Sequence, residues 1–431
     1  MMKHQTKFKQ TEIGMIPEDW EVKTAEQVLE QIIDYRGKTP EKTESGTPLI
    51  TAKIIKNGHI DYSNCEYILE EDYKNWMRRG IPKSGDVLLT TEGPLGEVAQ
   101  LDGRKVALAQ RVLTIRGKKG LLDNSYLKYY LFSRVGQQEL HSRATGTTVQ
   151  GIKQKEFRHI FIVLPSILEQ ESIADILSSL DDKIELNQQM NKTLEKIGQA
   201  LFKRWFIDFE FPNEKGEPYK SSGGEMVDSE LGEIPKGWVI GTLGDICDIT
   251  MGQSPPGHTY NENSDGLPFY QGIADFGFRF PSRRVYCTAP TRFAEEGDVL
   301  LSVRAPVGAF NVAEERCAIG RGLAALRLKE KHNGFLYYLL RATRSEWEKF
   351  EAEGTVFGSV NKSDVHDFKV VIPPKPLLAK FALLIEDLEG KININEKQSR
   401  TLSIIRDSLL PKLMSGRIRV NSEISYEKRK G

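Results

Sequence analysis

Residues 11–20 read TEIGMIPEDW, and residues 229–238 read SELGEIPKGW. Later matches keep the same order, since GDVLLT at 85–90 is followed by GDVLLS at 297–302. The offset between the two copies falls only from 218 positions (Trp20 to Trp238) to 208 positions (Pro165 to Pro373). Because order and spacing are both preserved, the sequence predicts one internal duplication in which each half forms the same fold.

The composition of this 431-residue chain shows no bulk charge, since 60 Lys and Arg balance 60 Asp and Glu. That balance argues against a protein that holds nucleic acid through net charge, but it permits a local basic face. The cysteines lack metal-site spacing, and no apolar run approaches the roughly 18 residues of a membrane helix. The N-terminus has no signal-peptide pattern. We therefore expect a cytoplasmic protein with no metal site and no membrane association.

Each half ends in a long helical pattern. Apolar residues recur at alternating spacings of four and three over about 40 residues, which predicts two helices of ~60 Å that pair as an antiparallel coiled coil. An amphipathic helix packed on its own domain is the alternative interpretation. In the predicted register Asn187 faces Asn395, and Leu180, Leu194 and Leu201 face Leu402, Leu388 and Phe381, respectively.

The fold predicted from these patterns is α+β. It consists of two similar mixed α/β domains separated by two long antiparallel helices that form a coiled coil, with an internal pseudo-two-fold repeat. Pro, Gly and Ser mark the segment between the halves as a linker. The predicted segments are a first domain over 1–165, a helix over 166–208, a linker over 209–228, a second domain over 229–375, a helix over 376–415 and a tail over 416–431.

Catalytic motifs are not apparent in the sequence. An amino-methyltransferase would carry an Asn/Asp-Pro-Pro-aromatic tetrapeptide, whereas residues 254–257 read SPPG and residues 372–375 read IPPK. The seven histidines show no metal-binding spacing. Spacing alone leaves a two-carboxylate nuclease site open. The sequence favours a non-catalytic protein without a cofactor of its own.

Basic and polar residues instead cluster in a few stretches. Residues 73–83 (YKNWMRRGIPK) and 145–155 (TGTTVQGIKQK) are examples in the first half, and Arg279 lies in the region of the second half that corresponds to the first of these. Arg and Gln suit base edges, whereas Lys and hydroxyl groups suit phosphates. The residues predicted to bind DNA are Lys53, Lys74, Arg78, Arg79, Thr147, Gln150 and Lys153 in the first half, and Gln253, Gln271, Arg283, Arg284, Arg304 and Asn361 in the second.

The chain resembles the specificity subunits of type I restriction-modification systems nearly end to end. The resemblance rests on LGEIPKGW (231–238), ALFKRWFIDF (200–209), LLPKLMSG (409–416), and GQSPP (252–256) with LPFYQG (267–272). It implies two target-recognition domains, each of which reads one half of an asymmetric bipartite target in double-stranded DNA. It also implies that the helices set the distance between the half-sites and dock two methyltransferase (modification) subunits.

The same resemblance implies that the chemistry lies elsewhere. S-adenosylmethionine, ATP and Mg are expected only in partner subunits, namely the methyltransferases and the restriction/translocase subunits that join through them. Trp205, Phe206 and Phe209 are predicted to dock a partner, and packing inside the chain is the alternative for these rings. A coiled-coil adaptor without DNA specificity, or a DNA methyltransferase or nuclease, are the competing functions.

Overall fold

The computed structural model describes residues 6–37, 39–352 and 358–420 and divides the chain into two compact units. Unit 1 combines the chain up to Glu185 with the chain from Arg400 onward, and unit 2 is Leu186–Ser399. Each unit mixes helices with strands and contains part of both long helices. The end of the predicted tail, residues 421–431, lies outside the described residues.

In unit 1, a four-stranded antiparallel sheet with the order β10-β9-β12-β4 lies beside a three-stranded sheet with the order β11-β5-β8. The strands are β1 (Phe8–Thr11), β2 (Gly14–Pro17), β3 (Glu21–Thr24), β4 (Leu29–Asp34), β5 (Thr47–Ile50), β6 (Ile55–Lys56), β7 (His59–Ile60), β8 (Glu66–Ile68), β9 (Val87–Thr91), β10 (Leu95–Gln100), β11 (Ala107–Leu108), β12 (Val112–Gly117) and β13 (Phe161–Leu164). The helices are α1 (Ala25–Val28), α2 (Tyr73–Trp76), α3 (Asn124–Phe132), α4 (Arg134–Ser142), α5 (Gln154–Phe157) and α6 (Ile167–Phe202), which continues into unit 2.

Unit 2 repeats the four-stranded sheet as β17-β25-β22-β23 and adds a five-stranded sheet, β18-β20-β19-β24-β21. Its strands are β14 (Met226–Ser229), β15 (Gly232–Pro235), β16 (Val239–Thr242), β17 (Cys247–Met251), β18 (Tyr260–Asn261), β19 (Leu267–Tyr270), β20 (Tyr286–Cys287), β21 (Phe293–Ala294), β22 (Val299–Ser302), β23 (Phe310–Val312), β24 (Cys317–Ile319), β25 (Leu323–Leu328) and β26 (Lys369–Ile372). Its helices are α7 (Leu243–Ile246), α8 (Asn333–Ala342), α9 (Arg344–Ala352), α10 (Lys362–His366) and α11 (Lys375–Met414), which continues into unit 1.

The central strands show the duplication at atomic detail. All residues of β9 and β22 are buried, as expected for apolar runs at the middle of a sheet. In both units an arginine on a neighbouring strand of the same sheet, β12 or β25, forms an ion pair with the aspartate that directly precedes the buried strand. Arg116 Nε lies 2.6 Å from Asp86 Oδ1, and Arg327 Nε lies 2.7 Å from Asp298 Oδ1. The repeated sequence GDVLL thus encodes a repeated ion pair as well as a repeated strand.

Within each unit, the segments of α6 and α11 run antiparallel. In unit 1, Ile173 and Leu177 share a core with Leu410 and Leu413. Further along α6, Asp181 accepts a 2.8 Å hydrogen bond from Arg406, which precedes those leucines on α11. Contact positions therefore rise along α6 as they fall along α11.

Unit 2 shows the same opposed direction. The Nδ2 group of Asn191 donates to Glu396 at 2.7 Å, and the ring centroids of Phe202 and Phe381 lie 6.0 Å apart. In unit 2, α6 is followed directly by a π-helical turn at Lys203–Ile207. No helix in the described ranges is both long enough and apolar enough to cross a membrane.

The predicted positions and register of the helix seam are partly wrong. Leu180, Leu194 and Leu201 are only half-buried, whereas the residue after each of them, Asp181, Glu195 and Phe202, is buried. Buried positions in α6 follow a spacing nearer to the 3.6 residues of a straight helix than to the 3.5 of a heptad. On α11, Phe381 and Asn395 are buried as predicted, while Leu388 and Leu402 are half-buried.

The asparagine pairing is shifted as well. The side chain of Asn395 donates to Asn191 Oδ1 at 2.9 Å, and not to Asn187 as the predicted register requires. The Asn187 side chain reaches Gln398 at 3.0 Å and the Asn395 carbonyl oxygen at 3.4 Å. The observed register of the two helices differs from the predicted one by about one helical turn. Buried polar residues, and not the leucines, set the contact positions.

Candidate nucleic-acid interface

In unit 1, several loops meet near the ends of β4, β9 and β12. Arg36, just after β4, donates from Nη2 to the carbonyl oxygen of Ile152 at 2.9 Å. Arg79 donates from Nη1 to the carbonyl oxygens of Asp34 at 3.1 Å and Arg36 at 2.9 Å. These bonds hold the two stretches that the sequence singled out, 73–83 and 145–155, against the end of the same strand. We call Arg36, Arg79, Glu92, Arg111 and Lys153 the strand-end surface of unit 1.

Glu92 and Arg111 add an ion pair to this surface. Glu92 Oε1 lies 2.8 Å from Arg111 Nε, and both side chains are partly exposed. The backbone of Glu92 forms an antiparallel bridge with Gly151, and Gly151 forms another with Thr145. The carboxylate is therefore attached to the 145–151 hairpin as well as to the end of β9.

Unit 2 builds the same backbone arrangement with other side chains. In unit 1 the Thr91 amide donates to Arg111 O, and the Ile152 amide donates to Thr91 O, both at 2.9 Å. In unit 2 the Val303 amide donates to Gly322 O, and the Val360 amide donates to Val303 O, again both at 2.9 Å. These bonds correspond pair by pair in the two copies, so they identify equivalent positions in the two units.

The equivalence shows where the two units differ. Arg304, which forms a bridge with Ser359, occupies the position of Glu92, and Gly322 occupies that of Arg111. An acidic side chain in one unit is thus a basic side chain in the other. A ligand at this one position meets opposite charges in the two units.

An open cleft of about 600 Å³ lies at the corresponding face of unit 2. It is bounded by the end of β17 with the following Gln253, and by polar side chains from three further segments of the chain. Those three side chains are Arg292, Arg321 and Lys362. Three cations and one amide, with no carboxylate among the lining residues, suit phosphate and base-edge contacts. We call these four residues together with Arg304 the strand-end surface of unit 2.

The residues predicted in unit 1 divide between this surface and positions outside it. Arg79 and Lys153 belong to the strand-end surface, and the exposed residues Thr147 and Gln150 lie on the adjoining hairpin, where Gln150 is 3.3 Å from His141. Arg78 bonds Asn75 at 3.2 Å, and Lys74 is exposed on α2. Lys53 is exposed on the short helical turn Ala52–Ile54. No contact in the structure ties Lys53 to the strand-end surface.

In unit 2 the structure gives several predicted residues an internal partner. Nε and Nη2 of Arg284 lie 3.0 and 2.6 Å from Oδ1 of the buried Asp275. The other carboxylate oxygen of Asp275, Oδ2, accepts a hydrogen bond from the backbone N–H of Gln271 at 3.0 Å. Arg283 Nε lies 2.7 Å from Glu315. Asn361 caps α10, because its Oδ1 accepts the amides of Ser363 and Asp364. Arg283, Arg284 and Asn361 thus have internal partners in the free chain and their DNA-binding role stays a prediction, whereas Gln253 and Arg304 belong to the strand-end surface.

The aromatic residues predicted to dock a partner belong mainly to the core of unit 2. Trp205 and Phe206 are each 7% exposed and pack on Phe381 with ring centroids 5.8 and 4.9 Å away. Phe209 is half-buried and meets Trp238 edge-on at 5.5 Å. The docking prediction for Trp205 and Phe206 is therefore wrong for the free chain, because the rings close the core where α6 ends.

Arg279 is the largest departure from what its residue type suggests. Its side chain is 1% exposed, forms ion pairs with Glu195 on α6 and Glu389 on α11, and lies 3.8 Å from the ring centroid of Tyr337 on α8. Burial lowers the pKa of Arg279, but Tyr337 and the two carboxylates outweigh that effect, so that the pKa is raised and the guanidinium stays charged. Arg279 is a buried cation that links three helices of unit 2.

Unit 1 has a smaller ionic cluster between helices. Asp181 accepts hydrogen bonds from Tyr129 at 2.7 Å and from Arg406 at 2.8 Å. Burial raises the pKa of Asp181, but the bonds from Arg406 and Tyr129 together with nearby Lys128 lower it further, and the net pKa is below its usual value. The carboxylate therefore remains ionised at neutral pH.

Six residues of the two strand-end surfaces were not among the residues predicted to bind DNA, namely Arg36, Glu92, Arg111, Arg292, Arg321 and Lys362. Arg36, Arg111, Arg292 and Lys362 are isolated in the sequence, without the runs of basic residues that drew attention elsewhere. A signal did exist for Arg36 and Arg111, because Arg111 directly precedes β12 and Arg36 lies two residues after β4. Among the described residues, no group of three His, Cys, Asp or Glu is placed to hold a metal ion.

Comparison with known proteins identifies the family to which the chain is similar. The model for the type I restriction modification DNA specificity domain matches residues 17–196 and 235–403, one match in each half. The type I restriction enzyme MjaIX specificity subunit of Methanocaldococcus jannaschii is 33% identical, over 96% of this chain and 97% of its own length. The HindI specificity subunit of Haemophilus influenzae is 24% identical, over 85% and 93%.

A solved structure supports the fold. The type I restriction-modification system S subunit from M. genitalium aligns with a TM-score of 0.60 and 18% identity, over 91% of this chain and 96% of that one. The two family matches agree with the duplication predicted from the sequence, and the mixed helix-and-strand repeat is the fold of this neighbour. The chain therefore belongs to the type I restriction-modification DNA specificity family, with one copy of the specificity domain in each half.

Proposed function

We propose that this chain is the DNA-recognition subunit of a type I restriction-modification enzyme and that each unit reads one half of an asymmetric bipartite target. The observation that carries the proposal is the pair of strand-end surfaces. They share one backbone arrangement, yet Glu92 and Arg111 in unit 1 are replaced by Arg304 and Gly322 in unit 2. Equal placement with unequal chemistry is what two different half-sites require.

The charge distribution supports binding through local surfaces. The whole chain has a formal net charge of zero, whereas the cleft of unit 2 is lined by Arg292, Arg321 and Lys362 without a carboxylate. In unit 1, Arg36 and Arg79 lie beside Lys153. Local cations contact phosphates and position the duplex, while the differing side chains supply sequence discrimination.

We further propose that α6 and α11 form one antiparallel coiled coil that sets the distance between the half-sites. The opposed direction of the helix segments within each unit supports this role, as do the helix lengths of 36 and 40 residues, roughly 54–60 Å. Half-sites one turn of DNA apart are separated by about 34–36 Å, which a rigid helical spacer can maintain.

The partners in this proposal are two methyltransferase subunits and, through them, restriction/translocase subunits. Leu383, Leu384 and Ile394 support docking along α11, because their side chains are 70%, 48% and 64% exposed on a helix whose opposite face is buried. Exposed large apolar side chains grouped on one helix suit a protein contact. They replace Trp205 and Phe206 as our proposed docking residues.

In this proposal the chain itself performs no chemistry. S-adenosylmethionine, ATP and Mg act in the partner subunits, and the chain selects the sequence. Incubating the chain alone with DNA and S-adenosylmethionine should transfer no methyl group, whereas the complex with methyltransferase subunits should. Methyl transfer by the chain alone would favour the competing enzyme function.

The decisive experiment determines the modified sequence. Methylation-sensitive sequencing of DNA treated with the reconstituted complex should reveal one motif with two unlike parts and a fixed gap. Arg304→Ala with Arg321→Ala should relax only one part of that motif. A complex that binds or modifies all duplexes equally would leave only the adaptor function.

The spacer proposal has its own test. Deleting seven residues from α6 should shorten that helix by about 10 Å and alter the permitted gap between the two parts of the motif. The Gly390→Ala variant, which changes α11 without changing its length, serves as the control and should retain the original gap. A deletion variant that folds, assembles and retains the original gap would refute the spacer role.

A further inference from the structure

We propose that Arg111 reads a guanine in the half-site bound by unit 1 and that Glu92 is the positioning residue that aims it. The proposal rests on the proposed function of the strand-end surfaces and deepens it. It names one specificity-determining side chain, one base and the unit to which both belong. Three independent features of Arg111 support it: its backbone conformation, its ion pair and its replacement in unit 2.

The backbone places Arg111 at a special point. It directly precedes β12, and its φ of +72° lies in the left-handed region that favours glycine. Its carbonyl oxygen accepts the Thr91 amide, which fixes this conformation at the edge of the sheet. A long charged side chain held in an unfavourable conformation points to a role for the side chain itself.

The ion pair places a carboxylate beside the guanidinium. Glu92 Oε1 lies 2.8 Å from Arg111 Nε as an ion-pair contact without an aligned hydrogen bond, and no hydrogen bond joins a terminal nitrogen of Arg111 to the described part of the chain. The two terminal nitrogens therefore remain as a planar pair of donors. A pair of donors in this geometry matches the N7 and O6 acceptors of guanine in the major groove.

The neighbouring arginines of unit 1 are already committed to other bonds. Arg36 donates to Ile152 O, and Arg79 donates to the carbonyl oxygens of Asp34 and Arg36. Both hold loops in place, whereas the partner of Arg111 is a carboxylate side chain. That carboxylate is itself anchored, because the backbone of Glu92 pairs with Gly151.

Unit 2 lacks this reading pair. The position of Glu92 is occupied by Arg304, and that of Arg111 by Gly322, which has no side chain. A guanine contact through Arg111 is therefore confined to one half of the target. Because glycine readily adopts the positive φ of Arg111, Arg111→Gly removes the side chain without straining the backbone.

The test uses the full-length chain in complex with its methyltransferase subunits. Duplexes carry the target with single 7-deazaguanine substitutions, which remove the N7 acceptor and preserve base pairing. For the wild type, substitution at one guanine of the half-site bound by unit 1 should weaken binding by about 5- to 150-fold. The Arg111→Gly complex should bind the natural target that much more weakly and respond little to the substitution.

Two further variants separate positioning from charge. Glu92→Gln should bind non-specific DNA at least as well as the wild type, because a carboxylate is removed near phosphates, but it should discriminate less against 7-deazaguanine. Arg104→Ala is the matched control, since Arg104 is also exposed in unit 1 and lies 3.1 Å from Asp102. The control should retain the full response to the substitution.

The outcomes distinguish this inference from the function beneath it. If Arg111→Gly weakens binding to every duplex equally and keeps the wild-type response to 7-deazaguanine, Arg111 contacts phosphate and the inference is wrong. A target half without guanine on either strand would also overturn it. If the wild-type complex itself shows no sequence preference, the proposed function fails instead.

Discussion

Replacing Arg279 by methionine should destabilise unit 2 severely. The side chain is 1% exposed and pairs with Glu195 and Glu389, and its guanidinium lies 3.8 Å from the ring centroid of Tyr337. Methionine fills a similar volume but removes the buried cation, so that Glu389 loses this partner and Glu195 keeps only the partly exposed Arg341. Removing one partner of a buried ion pair costs about 3–5 kcal/mol.

The magnitude can be measured by urea or thermal unfolding of the full chain. For a unit of this size, about 3–5 kcal/mol corresponds to a decrease in melting temperature of roughly 6–20 °C. Hydrogen exchange at the amides of α8 should report the loss directly, because Tyr337 lies on that helix. The amides of the β-strands in unit 2 should keep their relative order of protection from hydrogen exchange.

A matched control lies nearby. Arg341 Nε is 3.4 Å from the same Glu195, but its side chain is 34% exposed. Arg341→Met should therefore cost no more than about 1 kcal/mol. Adding Glu195→Gln and Glu389→Gln to Arg279→Met should recover part of the loss, because the unpaired charges are then removed. If Arg279→Met changes the free energy of unfolding by less than about 1 kcal/mol, the buried cluster does not hold these helices together.

Three further changes test other parts of the structure. The pKa of Asp181 is lowered in the folded chain, so its ionised form stabilises the fold above the unfolded pKa near 4. In unfolding titrations, the stability advantage of the wild type over Asp181→Asn should be constant from pH 6 to 8. It should decrease as the pH falls below 4. Gly198→Ala should lower the free energy of unfolding by about 1–3 kcal/mol, because an ideal Cβ would lie 2.1 Å from the Tyr338 hydroxyl oxygen. Gly390→Ala, where a Cβ would have no atom within 4 Å, should raise it by about 0.5–1 kcal/mol. Equal effects of the two variants in denaturant melts would contradict the packing described. Arg79→Ala should weaken DNA binding through the unit 1 half-site only, because it removes a cation and the bonds that hold residues 73–83 at the end of β4; an equal loss of selectivity at both half-sites in gel-shift titrations would refute its placement.

Much of the architecture was predictable because it depends on local or repeated signals. The matched segments around Trp20 and Trp238 revealed the duplication, and periodicity predicted helices that the structure places at Ile167–Phe202 and Lys375–Met414. Each of these features is encoded in residues a few positions apart or in a whole segment written twice. The resemblance to specificity subunits, stated from such segments, is confirmed by the family match in both halves.

The proposed binding surfaces were only partly predictable. Arg79 and Lys153 were chosen for their type and neighbours, and they do lie at the strand-end surface of unit 1. Arg36 and Arg111 were missed, because each is a single arginine that becomes part of a surface only when loops from distant segments meet. The internal partner of Arg284 was not predicted either, since a run of basic residues gives no sign of the buried Asp275.

The sequence by itself determined that the chain contains two copies of one domain, each followed by a long helix, because repetition and periodicity are properties of the linear order of residues. Only the tertiary structure decided which charged residues are buried and which face solvent. Arg279 and Arg111 are the same amino acid, yet one is enclosed by carboxylates of two helices and the other is exposed beside Glu92. The physical reason is that the free energy of a charge depends on its desolvation and its partners, and both are set by contacts between residues far apart in the chain.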